Sequence, residues 1–208
     1  MALASLLPGG EARAHPHVWV TVETEIQHDA DKRVTGFQHK WTFDEFYSSF
    51  ATQGMDKNED GQLDREELKD LAEVNVTSLK EFGFFTFPKI GNQEVNCDEP
   101  RDYWLEHKDG MLTLHFTLPL KAPVEKARLK DFHFSVYDPT FYVSFVFAKE
   151  NPIRMAAGLS ECRPEITRPE AQAPAKSLSE SVQSENTALM GTGSAYAENV
   201  RLKCGAGT

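Results

Sequence analysis

Twelve consecutive residues, Asp56 to Glu67, read Asp-Lys-Asn-Glu-Asp-Gly-Gln-Leu-Asp-Arg-Glu-Glu. Their oxygen-bearing side chains recur at the spacing of an EF-hand calcium loop. Calcium takes about six to eight hard oxygen ligands. Asp56, Asn58 and Asp60 offer side-chain oxygens, Gln62 its backbone carbonyl, Asp64 a direct or water-bridged carboxylate, and Glu67 both of its oxygens. Gly61 permits the tight turn at the sixth position, and Leu63 at the eighth is the apolar anchor. An acidic run is more often a plain solvated face. Here the spacing and the helical patterns on either side argue for the ion. EF-hands commonly pair, and the sequence carries no second loop of this kind, so Leu63 must pack on something else. Extracytoplasmic modules of this class bind calcium at about 10⁻⁴–10⁻³ M, which makes the ion a structural brace rather than a signal.

A second donor set lies at the N-terminus. Met1 to Leu7 is apolar, Pro8-Gly9-Gly10 interrupts it, and Ala12-Arg13-Ala14 has the small-x-small form of a signal-peptidase site. Residues 1–14 therefore read as a signal-peptide remnant. Cleavage after Ala14 would expose His15-Pro16-His17-Val18-Trp19. A terminal amine and an imidazole on His15 can chelate a transition metal, and His17 can add a third nitrogen. Pro16 has no backbone N–H, so the square-planar site built from deprotonated amides cannot be completed. Neutral imidazoles suit nickel, cobalt, copper or zinc. Of the remaining histidines, His115 and His133 fall opposite apolar strand faces and read as solvent-facing. His28 and His107, beside turns, read as surface.

Elements must hold these groups in place. Val18, Val20 and Val22 alternate with polar residues as a strand, Asp29-Ala30-Asp31-Lys32 turns the chain, and Arg33 to Thr42 returns. Phe43, Phe46, Tyr47 and Phe50 then share one face of a predicted helix, with Thr42 and Glu45 as its capping box. Leu68, Leu71 and Ala72 begin a second helix that runs to about Lys80, so an EF-hand insertion is expected over 43–80. Beyond it the pattern is β again. Phe84 to Phe87 is a short strand, and 102–107 with 111–118 forms a hairpin across Lys108-Asp109-Gly110. Two more alternating runs flank Asp138-Pro139-Thr140. The expected class is α+β: a β-sandwich-like domain over 15–163 with the helix-loop-helix inserted. Residues 164–193, rich in Pro, Ala, Ser, Glu and Gln, read as a linker. Residues 194–204 read as a strand returning to the domain.

The net charge is −10, which argues against nucleic acid or an anionic membrane surface as partner. Between Asp44 and Glu73 ten Asp/Glu face three Lys/Arg, a local balance of −7. No run approaches the ~18 apolar residues of a membrane-spanning helix, so no membrane insertion is expected. Of Cys97, Cys162 and Cys204, the pair Cys162–Cys204 is favoured over the other pairings because it would pin the last strand to the domain. No nucleophile elbow, phosphate loop or HExxH occurs, so an enzyme is not expected.

His-Pro-His-Val-Trp at 15–19, Lys-Trp-Thr-Phe-Asp-Glu-Phe-Tyr-Ser at 40–48, the loop at 56–67 and Val-Tyr-Asp-Pro-Thr-Phe-Tyr-Val at 136–143 occur together. The combination resembles a bacterial periplasmic family of unknown function, described as the periplasmic component of an uncharacterised ABC-type transport system. Its members are often encoded beside nickel/cobalt permeases. The resemblance covers about 14–204 apart from the linker. It implies an exported, periplasmic accessory of transition-metal transport, working with an inner-membrane metal permease. It also implies recurring positions at His15, His17, Asp138 and the loop ligands. Asp138 is otherwise most simply a turn-former. The second reading of the chain is a calcium-stabilised extracytoplasmic interaction module that binds no transition metal.

Overall fold

The computed structural model describes residues 16–157, 159, 161–169 and 192–205. His15 and the expected signal-peptide remnant lie outside them. The strands are β1 (Val18–His28), β2 (Val34–Phe43), β3 (Thr86–Ile90), β4 (Gln93–Glu94), β5 (Arg101–Lys108), β6 (Met111–Val124), β7 (Phe132–Val136), β8 (Val143–Phe147), β9 (Ile153–Met155), β10 (Cys162–Thr167) and β11 (Asn199–Cys204). The helices are α1 (Glu45–Ala51), α2 (Lys69–Leu79) and the short α3 (Thr192–Ala195). One sheet runs β5-β6-β2-β1-β8, with β9 also pairing β1; the other runs β10-β11-β7-β3-β4.

The two sheets face each other across an aromatic core. Phe37 of β2 packs against Phe132 and Phe134 of β7, and Phe147 of β8 meets Phe134 edge-on. Alternation explains which residues enter: Val18, Val20, Val22 and Ile26 of β1, and Leu112, Leu114, Phe116 and Leu118 of β6, are all buried. The expected sandwich-like α+β class is observed. Both central residues of the β5–β6 turn, Asp109 and Gly110, have positive φ (52° and 77°), as a two-residue hairpin turn of matching twist requires.

Several local expectations are corrected. The cap of α1 is Asp44, whose Oδ1 accepts from the Tyr47 N–H at 3.0 Å; Thr42 instead hydrogen-bonds Thr113 across the sheet at 3.1 Å. The third strand starts at Thr86, because Gly83, Phe84 and Phe85 all take left-handed conformations (φ 61°, 55° and 48°). The stretch read as a linker over 164–193 begins too early, since Pro164 to Thr167 belong to β10 and pair with β11. Residues 170–191 of it lie outside the described residues; the strand expected over 194–204 is shorter, β11 starting at Asn199, with Ser194 and Ala195 in α3. Cys162 and Cys204 stand opposite each other in the β10–β11 ladder and form the disulfide.

The helix face is the largest departure. Of the residues sharing the predicted apolar face, Phe46 and Phe50 are 81% and 73% exposed. Ser48 is the buried residue of α1, its Oγ accepting the Leu112 N–H at 2.9 Å while donating to the Asp44 carbonyl at 2.7 Å. Tyr47 stacks on Phe43 just outside the helix. With Ser48 turned inward, residues two before and two after it lie about 200° round the helix, on the outer face.

Candidate functional site

The loop between α1 and α2 is folded around its own side-chain oxygens. Asp56 accepts from the N–H groups of Asp60 (3.2 Å) and Gly61 (2.9 Å). Asn58 Oδ1 accepts from Asp60 N–H at 2.9 Å, and Asp60 Oδ1 from Gln62 N–H at 2.8 Å. Asp64 Oδ1 takes the N–H groups of Glu66 and Glu67 at the start of the exit segment (2.8 and 3.0 Å). Glu67 closes the loop: Oε1 accepts from Lys57 N–H at 2.8 Å and Oε2 from Asp64 N–H at 3.1 Å. Gly61 has φ of 78°, the left-handed value that favours glycine. The side chains expected to bind calcium thus share one short turn, where they accept from the loop's own N–H groups; with the Gln62 carbonyl they could offer an ion oxygen donors only. Such a set fits calcium and suits softer metals poorly. Asp64 Oδ1 and Glu67 Oε1 each accept two N–H groups, whereas Asp56 Oδ1 and Oδ2 accept one each and keep a lone pair. Among the described residues no three His, Cys, Asp or Glu side chains are grouped as a ready-made metal site.

Packing ties the loop to the domain. Leu63 rests on the core, and Leu68 at the N-cap of α2 is buried with Ala72 and Val76 of the helix, at four-residue spacing. Arg65 projects from the loop over the Trp104 ring of β5. Sequence reasoning missed this contact. It also misplaced His115, which is half-buried: its ring lies parallel to Trp104 at 3.8 Å with 1° between the planes. Burial holds the His115 imidazole below its usual value, against the opposing pull of Glu106 3.3 Å away. The signal was available in the hairpin. Counting back equally from Asp109-Gly110 pairs Trp104 with His115. His133 is also half-buried, bonded to the Gly91 carbonyl (2.9 Å) and to Asn199 (3.1 Å). His28, read as surface, is likewise half-buried, facing the carbonyls of Asp29 and Ala157 at 2.8 Å; those carbonyls raise its pKa.

Of the transition-metal positions, His17 is exposed, with its N–H bonded to the Tyr142 carbonyl and its ring 4.8 Å from that of Tyr142. Asp138 is buried and engaged in its turn: Oδ1 accepts from the Thr140 N–H and hydroxyl at 2.8 Å, and Oδ2 from Val143 N–H at 3.0 Å. His17 and Asp138 are therefore both tied to segment 138–143, at the start of β1. The C-terminal segment docks on the same turn. A Cβ on Gly193 would come within 1.7 Å of the Asp138 carbonyl oxygen, so only glycine fits. Cys97 stays a free thiol that burial pushes up to about 12, beside a cavity of about 350 Å³ lined by Phe84, Phe87, Val95 and Tyr137. At neutral pH it is no thiolate ligand.

Fold and site together define a disulfide-bridged, two-sheet α+β domain with an acidic twelve-residue loop between its two longer helices. The disulfide accords with an extracytoplasmic compartment, and no helix among the described residues is long and apolar enough to cross a membrane. The chain belongs to the family described as Protein of unknown function (DUF1007), which it matches over residues 1–204. It is 27% identical over 195 residues to an uncharacterised protein of Haemophilus influenzae, covering 92% of this chain and 91% of that protein. It is 28% identical over 106 residues to an uncharacterised 15.5 kDa protein in the trpE 3′ region of Spirochaeta aurantia, covering 48% of this chain and 70% of that protein.

Proposed function

We propose that this is a periplasmic, non-enzymatic accessory protein in which a calcium ion bound by the Asp56–Glu67 loop braces α1 and α2 against the sandwich. The observation that carries the reading is the way Glu67 reaches back across the loop to Lys57 and Asp64 while Asp56, Asn58 and Asp60 fold over the same turn. Asp56, Asn58, Asp60, Asp64 and Glu67 would supply side-chain oxygens and Gln62 its carbonyl. Calorimetric titration with calcium, using the wild type and Glu67→Gln with magnesium as control, tests it. Saturable calcium binding that Glu67→Gln weakens supports the reading. Absence of calcium-dependent heat from the wild type removes it.

A second reading adds transition-metal handling at the N-terminus, next to an inner-membrane nickel/cobalt-type permease. It is favoured by the exposed His17 lying against the same 138–143 segment that Asp138 organises. Nickel, cobalt, copper and zinc are the candidate ions. The test compares protein beginning at His15 with a form retaining one residue before it, each titrated with the four metals in saturating calcium. Equal, weak binding by the two forms sinks this reading.

A further inference from the structure

The outer face of α1 is built against the usual economy of folding. Phe46 and Phe50 stand one helical turn apart and are 81% and 73% exposed, the two most exposed large apolar side chains among the described residues. The exposure is imposed by the fold. Asp44 caps the helix, and Ser48 locks its opposite side to Leu112. Trp19, 52% exposed, lies at the start of the same helix, because its N–H donates to Asp44 Oδ2 and its carbonyl accepts the Asp44 N–H, both at 2.9 Å. An exposed aromatic surface of this kind marks an interaction site.

Charge decides what fits it. The helix opens with Asp44 and Glu45 and leads into the acidic loop, and residues 44–73 carry a balance of −7 within a chain of −10. A second copy would bring the same negative field to the contact, and an anionic lipid surface would be repelled. A segment with apolar anchors on one face and Lys or Arg on the other is complementary on both counts. Anchors at helical spacing match the one-turn separation of Phe46 and Phe50. We propose that the outer face of α1, with Phe46 and Phe50 at its centre and Trp19 at its edge, docks a basic amphipathic helical segment of a partner protein.

The test uses the full chain and a panel of fluorescein-labelled basic amphipathic peptides, each with a scrambled control of identical composition. Anisotropy is read in calcium and in chelator. Phe46→Ser/Phe50→Ser alters only exposed side chains, and circular dichroism with a thermal melt checks that it is folded. Saturable binding of an ordered peptide, weakened at least about tenfold in the double variant and falling with added salt, is the expected result. The proposal is overturned if no peptide binds, if scrambled peptides bind as tightly, or if the folded double variant binds unchanged. It is equally overturned if sedimentation shows a wild-type dimer that the double variant abolishes, or if the protein prefers phosphatidylglycerol vesicles. Calorimetry reads the loop separately, so peptide binding that persists in chelator would leave this surface standing even if no calcium is bound.

Discussion

The guanidinium carbon of Arg65 sits 3.7 Å from the centroid of the Trp104 ring, and His115 stacks parallel on that ring at 3.8 Å. Two groups this close to one ring centroid must occupy opposite faces. Arg65 is the tenth residue of the acidic loop, so the loop is fastened to the β5–β6 hairpin through an aromatic sandwich. Trp104 should therefore report on the loop. Calcium addition is expected to change tryptophan emission in the wild type, and Trp104→Phe should abolish most of that change. Arg65→Ala should lower unfolding free energy by about 0.5–2 kcal/mol, the worth of a cation–π contact. Denaturant titration measures it.

Calcium bound only by the folded state should stabilise it by mass action. At about 100 times the dissociation constant the gain is about 2.7 kcal/mol, and for a chain of this size roughly 5–10 °C in melting temperature. Glu67→Gln should lose most of that gain while melting near the wild-type value in chelator. Scanning calorimetry with and without calcium separates the two states.

His39 gives a pH dependence of known sign. It is fully buried, with Nδ1 2.9 Å from Thr24 Oγ1 and Nε2 3.3 Å from Thr86 Oγ1. Thr86 donates its hydroxyl proton to the Phe84 carbonyl, so it accepts from His39 Nε2–H, and Nδ1 accepts from Thr24. This ring is neutral and satisfied, and burial lowers its pKa from 6.5 to about 3. The unfolded chain therefore binds a proton that the folded one refuses. The stability is fully present above pH 6.5 and lost as pH falls towards 3, with a slope of about 1.4 kcal/mol per pH unit. His39→Asn should be less stable at neutral pH and show a flatter profile between pH 6 and 4. Urea midpoints across that range decide it.

Asp138 accepts three hydrogen bonds inside its own turn. Removing a buried acceptor leaves donors unpaired at roughly 1–3 kcal/mol. Asp138→Ala should destabilise by that order, and Asp138→Asn by less. Nickel and zinc affinity of Asp138→Asn, measured with His15 at the true terminus, should equal that of the parent protein. A lost metal site in a folded Asp138→Asn would instead assign the carboxylate as a ligand.

What the sequence alone determined is local. The strand alternation of β1 and β6, the hairpin at Asp109-Gly110 and the oxygen spacing of 56–67 each depend on residues near one another in the chain. Period and turn chemistry make those features readable. The sequence favours pairing Cys162 with Cys204 because the bond would pin the last strand, but it took the β10–β11 register to put the two opposite each other. Tertiary structure alone decided the direction in which α1 faces. Its apolar spacing put Phe46 and Phe50 on one face, and the Ser48–Leu112 bond and the Asp44 cap turn them outward. It also decided which histidines are enclosed. His39 owes its environment to Thr24 and Thr86 of other strands, the latter on the opposing sheet, whereas the Trp104 stacked on His115 is its hairpin neighbour. A one-dimensional pattern tells which side chains share a face. What that face meets depends on contacts made only when the whole chain packs.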